Sequence, residues 1–188
     1  MVGALISNTM TAVLFALLLL LIILGLIAYA VGQRNDLVKM RNTIDKSFAA
    51  IDLLLKQRHD ELPKLLETCR PYLGQEQGTL RSVAEARNAY TSASSPRQKA
   101  QADQLVTGAV RNLLAVAAKN PDLKKSTTFV QLQARIVHVE ETVAAQRDRY
   151  NENVSSFNAR IARVPNAFIA RLAKLRVRER FQASEANE

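Results

Sequence analysis

The sequence predicts an all-α protein in which an N-terminal transmembrane helix continues into an antiparallel up-and-down bundle of about four long helices. Three observations lead there. An almost unbroken apolar run fills Thr9 to Val31, apolar residues then recur at helical spacing, and no stretch alternates as a strand would. Composition agrees: the 188 residues include only six Gly and five Pro, while Ala, Leu, Arg, Gln and Glu keep most of their rotamer freedom in a helix. The net charge is +9, with a pI near 10.1.

The first segment reads as an anchor. From Val2 to Gln33 there is no charged side chain. At 1.5 Å per residue, Thr9–Val31 covers about 30 Å or slightly more, the thickness of a bilayer's hydrocarbon core. A helix is the single-segment structure that satisfies its own backbone in lipid. The competing reading is a cleaved signal peptide, because Ala28-Tyr29-Ala30 resembles a cleavage site. The absence of a basic leader and the length of the run weigh against it. Arg34, Lys39, Arg41 and Lys46 follow the span and no Lys or Arg precedes it. Positive charge stays cytoplasmic, so the short N-terminus is expected outside and the rest inside. The division is residues 1–33 for tail and anchor, 34–182 for a helical bundle and 183–188 for a frayed acidic tail.

Past the span, Leu37, Ile44, Phe48, Ile51, Leu55 and Leu62 form a coiled-coil-like stripe. No Gly or Pro separates it from the anchor after Gly32, so one helix should run through both. Pro63 should kink rather than end it, since apolar spacing resumes at Leu65, Leu66 and Cys69. Arg70-Pro71 and Gly74 to Gly78 mark a break. A second helix is expected over Thr79–Tyr90. A third opens at Ser95-Pro96-Arg97-Gln98, where Ser can cap, Pro fits the first turn and Gln completes a capping box. It runs to Lys119, before Asn120-Pro121. The clearest stripe follows: Phe129, Leu132, Ile136, Val139, Val143, Tyr150, Val154, Phe157 and Ile161. A last amphipathic helix is expected over Pro165–Gln182, with Phe168, Ile169, Leu172 and Leu175 on one side.

Several stretches together resemble the LemA family over essentially the whole chain. They are Arg34 to Val38, LLLKQRHDELPKLLETC from Leu53, Asn120 to Lys124, ETVAAQRDRYNENVSSFN from Glu141, and Val164 to Ala170. The resemblance implies a bacterial membrane protein with one N-terminal helix, a short outer tail and a helical bundle. It leaves activity open: one branch serves magnetosome membrane formation and others are associated with a membrane-bound zinc protease. Relatives often carry an acidic and an aromatic residue before the Pro-Asp-Leu step, where this chain has Ala118, Lys119 and Asn120.

Motifs for chemistry are scarce. The Glu-x-x-His pairs of a carboxylate-bridged metal site are missing, because Lys56 and Arg135 stand three residues before His59 and His138. One Cys cannot build a structural zinc site, and Cys69 follows Leu62, Leu65 and Leu66 at core spacing. Phosphate-loop, dinucleotide and nucleophile-elbow motifs are lacking. No catalytic, cofactor or metal residue is therefore assigned.

Two clusters stand as candidate contacts. Arg58, His59, Asp60 and Glu61 fall where the first stripe should place its next apolar residue. They read as a recognition patch, a buried ion pair that sets helix register, or simply as pairs on a solvated face, the last being the simplest. Asn151 and Asn158, seven apart, read as polar inserts that specify helix pairing. In the C-terminal region, Arg171, Lys174 and Arg178 oppose the apolar side and are candidates for contact with anionic lipid head groups or a protein. The opposite expectation is that this face packs on the bundle and its charges are solvated. Nucleic acid fits poorly, since aromatic residues do not interleave the basic ones. A structural or adaptor protein is the expectation, with self-association through the stripes open. The rivals are a regulatory partner of a membrane zinc protease and an enzyme with an unfamiliar site.

Overall fold

The computed structural model describes residues 2–74 and 76–182, with side chains described from Leu14 onward. The acidic tail over residues 183–188 lies outside the described residues. Helices account for nearly all of what is described, and no strand occurs there. Helix α1 (Val2–Cys69) is continuous from the apolar run through Pro63 to Cys69, and a short 3-10 turn, Arg70–Tyr72, ends it. Then come α2 (Gln77–Ser92), α3 (Pro96–Lys119), the short α4 (Pro121–Lys125), α5 (Thr127–Ala162) and α6 (Asn166–Leu172). Four of these are long, as expected. Helix α4 was hidden in what the sequence presents as a turn.

The described chain forms two compact units, residues 2–41 with 157–177, and residues 42–156 with 178–182. In the larger unit the helical stripes meet. Leu62, Leu65, Val83, Ala86, Val106, Leu113, Phe129 and Ile136 belong to one buried cluster drawn from α1, α2, α3 and α5. All nine residues of the α5 stripe are buried, and so are Ile44, Ile51, Leu55 and Leu62 of α1. Phe48 is half-buried, its ring 5.8 Å from that of Tyr150. Direction follows from paired positions. Ser47 meets Asn153 and Glu61 meets Arg135, so α1 and α5 are antiparallel. Ser82 meets Asn112 and Glu76 meets Lys119, so α2 and α3 are antiparallel as well. Asp52 meets Lys99 and Arg58 meets Asp103, which sets α3 parallel to α1. The order is up, down, up, down.

Local chemistry sets the boundaries. Ser95 Oγ accepts from the Gln98 amide at 3.2 Å, and the Ser95 amide donates to Gln98 Oε1 at 3.1 Å, closing the expected capping box. Ser95→Ala should destabilise the bundle by about 1 kcal/mol, read as a lower denaturation midpoint of the detergent-solubilised protein. Gly74, at φ +51°, turns the chain after α1 in a conformation open to glycine.

The C-terminal helix is shorter than its amphipathic pattern suggests. The Leu175 amide donates to the Ala170 carbonyl at 2.9 Å and the Lys174 amide to the Arg171 carbonyl at 3.1 Å. With Lys174 left-handed at φ 53°, this is a Schellman stop. The helix expected to reach Gln182 ends at Leu172, and residues 175–180 carry no regular structure. The stop was illegible because Lys occupies a position usually marked by Gly.

The smaller unit contains the apolar run. Its large apolar side chains from Leu14 to Val31 are all exposed, and this part of α1 is long and apolar enough to cross a membrane. Leu37 and Phe157 are completely buried in the same unit.

Candidate functional site: a buried charge cluster and an apolar, basic corner

Arg58 takes the register position between Leu55 and Leu62 that the stripe would give to an apolar residue. Helical spacing turns it inward, and it is 1% exposed. Its guanidinium meets Asp103 Oδ1 of α3 at 2.6 Å and Glu140 Oε2 of α5 at 3.1 Å. One turn on, buried Glu61 meets Lys64 at 3.0 Å and Arg135 of α5 at 3.6 Å. Three helices are thus joined by alternating charges. Burial pushes the Asp103 carboxyl above its usual range even though the Arg58 charge pulls it down.

The four residues singled out from the sequence are not one surface. Arg58 and Glu61 point into the bundle, which replaces the simple solvated-face pairing with a buried ion-pair cluster. Only Asp60 is exposed; it pairs with Lys56 at 2.7 Å, and that bond holds its carboxyl below the usual range. His59 is half-buried and stacks on Tyr90 with ring centroids 4.5 Å apart. Lys99 Nζ lies 3.9 Å from the centre of the same ring and 3.0 Å from Asp52. The cluster can hold helices in register. Cys69, fully buried, has its thiol pushed up to about 11 by desolvation, so little thiolate forms near neutral pH. Among the described residues, no three His, Cys, Asp or Glu side chains gather closely enough to hold a metal ion.

A second polar arrangement secures residues 178–181, a stretch whose role the sequence did not betray. Tyr150 donates its hydroxyl to the Glu179 carbonyl at 2.8 Å. Asn151 both accepts from the Phe181 amide at 2.8 Å and donates to its carbonyl at 3.2 Å. Arg180 reaches Ser155 at 2.9 Å, Arg178 pairs with Asp45, and Phe181 is buried. The expected polar insert at Asn151 therefore holds Phe181, in the segment after α6, rather than a neighbouring helix.

Tyr90 and Tyr150 are each pushed up to about 12 by burial. Their folded-state values exceed the ordinary 10.0, so unfolded phenols lose protons first. The contribution of these phenols is fully present below pH about 10 and is lost as pH rises towards about 12. The denaturation midpoint should fall across that alkaline window, and less steeply in Tyr150→Phe.

The third arrangement is a corner in the smaller unit. Arg160 near the end of α5 lies 3.3 Å from Gln33 Oε1 and 3.5 Å from Asp36 Oδ2, with Met40 Sδ at 3.9 Å. Gln33 is the first polar side chain after the apolar run, and Asp36 follows within one turn. Beyond Ala162 the chain turns through Val164-Pro165 into α6. Val164, Phe168, Leu172 and Val177 are 75, 66, 89 and 71% exposed. Arg163, Arg171, Lys174 and Arg176 are exposed among them. Of the three basic residues proposed as one contact, Arg171 and Lys174 stand at this corner. Arg178 belongs to the other unit, paired with Asp45.

A helix whose apolar run is long enough to cross a membrane, continuing into a four-helix bundle with charges locked in its core, defines the class: helical-bundle proteins with a candidate N-terminal span. Within that class the chain belongs to the LemA family, whose profile matches residues 47–188. It is similar to Protein LemA of Metamycoplasma hominis, at 28% identity over 177 residues, covering 91% of this chain and 79% of that protein.

Proposed function

We propose that the protein is a non-catalytic scaffold or adaptor held by one span at the inner face of a bacterial membrane. The observation that carries this reading is the division of α1: its large apolar side chains are all exposed from Leu14 to Val31, whereas Leu37, Ile44, Ile51 and Leu55 are buried. One helix thus joins a lipid-facing segment to a packed bundle. The basic residues after the span support a cytoplasmic bundle. Confinement to the membrane plane raises the effective concentration of the bundle towards other membrane components, and the buried charge cluster, by holding the helices in register, keeps the outer face of the bundle fixed for a partner.

Mild-detergent affinity purification of the full chain, followed by native mass measurement, tests the reading. A stoichiometric foreign protein, or a defined oligomer with lipid, is expected. Monomer alone, with no neighbour captured by crosslinking in intact cells, would overturn it.

A further inference from the structure

We propose that the α5–α6 corner is a second membrane contact, which dips Val164, Phe168, Leu172 and Val177 into the head-group layer of an anionic leaflet. This deepens the reading above and rests on the apolar run being a span.

Position is the first argument. Arg160 is within hydrogen-bond reach of Gln33, where the apolar run ends. Val164 is four residues further, so the chain can carry it no more than about 15 Å from the Arg160 backbone. Helix α6 adds seven residues, about 10 Å. The corner therefore lies within a few residues' reach of the lipid surface that the span would enter.

Exposure is the second. Scattered exposed apolar side chains are ordinary, but here four large ones fall within fourteen residues, each at least 66% exposed. Beyond the span, Leu53 is the one other large apolar side chain among the described residues that is as exposed. A cluster of that kind beside a span continues its apolar surface.

Charge complementarity identifies the occupant. From Arg160 to Arg178 the sequence has no acidic residue, and exposed Arg163, Arg171, Lys174 and Arg176 alternate with the apolar side chains. Apolar groups that enter the interface, flanked by cations that meet lipid phosphates, are how peripheral segments hold anionic membranes. A protein groove would have no need of unbroken positive charge. The corner is also fixed where it begins, by the contacts of Arg160 with Gln33 and Asp36. That lowers the ordering cost of docking.

The test uses the full chain in lipid nanodiscs, with Leu172→Cys carrying an environment-sensitive fluorophore in a Cys69→Ser background. Discs contain phosphatidylcholine alone or with phosphatidylglycerol, plus a lipid-borne quencher at the head-group level. In anionic discs the emission should shift blue and be quenched. The triple reversal Arg171→Glu, Lys174→Glu, Arg176→Glu should reduce that quenching roughly two-fold or more with an unchanged helical circular dichroism signal. A label that stays in water while the protein remains in the disc would overturn the corner contact alone. A blue-shifted label that the lipid quencher does not reach would mean that protein covers the face, and equal quenching in neutral discs would remove the anionic-lipid claim. Failure of the chain to enter discs at all would instead sink the span on which the functional reading rests.

Discussion

Asp103→Ala is expected to destabilise the bundle by about 3 kcal/mol, the cost of leaving a buried cation without its nearest counter-charge. Arg58 is the largest fully buried side chain among the described residues, and its guanidinium depends on the carboxylates that face it. Glu140 remains as a second partner at 3.1 Å, but its side chain is half exposed and water weakens what it offers. The loss should therefore sit near the lower end for a broken buried pair. The double substitution Arg58→Met, Asp103→Leu removes both charges and fills the volume, and should recover most of the loss. A double-mutant cycle by chemical denaturation in detergent measures the coupling. If the single and double variants are equally unstable, packing rather than charge pairing governs this site. A near-neutral Asp103→Ala would mean that Arg58 is hydrated in solution.

Phe157→Ala is expected to cost about 3–5 kcal/mol, because a completely buried ring is removed from a helix that cannot collapse into the space. Its position makes the effect informative. Phe157 precedes Arg160 by less than one turn, in the unit that contains Gln33, Asp36 and Leu37. Loosened packing there should free the corner as well as lower the midpoint, so amide exchange should accelerate first at the end of α5 and in α6. Phe157→Leu retains much of the apolar volume and should lose far less. Uniform acceleration along α5 would show that the ring serves the whole bundle rather than its end.

Periodicity made most of this architecture legible. Each apolar position of α5 counted in the sequence is buried, and the Ser95–Gln98 cap closes as its residues imply. These features depend on neighbours three or four residues apart. Features built from distant residues were not legible. Arg58 looked like part of a solvated run because its partners are on α3 and α5. Helix α6 looked eighteen residues long because the amphipathic pattern continues past Leu172. Its stop depends on a left-handed Lys174, which composition does not announce. Asn151 advertised a polar insert but not its partner, Phe181, thirty residues away. At the corner, the basic and apolar residues were evident from the sequence; which of them stay exposed was decided by folding.

The most direct test of the central claim is sidedness labelling in membrane vesicles with an impermeant maleimide on full-length Gln101→Cys. Gln101 is exposed on α3, whereas the native Cys69 thiol is fully buried and pushed up to about 11, so it should stay silent. Labelling of Gln101→Cys in inverted but not right-side-out vesicles, with the chain retained in the membrane after an alkaline carbonate wash, is the expected result. Labelling from the outer side, or release of the intact chain by the wash, would contradict a single-span anchor with its bundle on the cytoplasmic face.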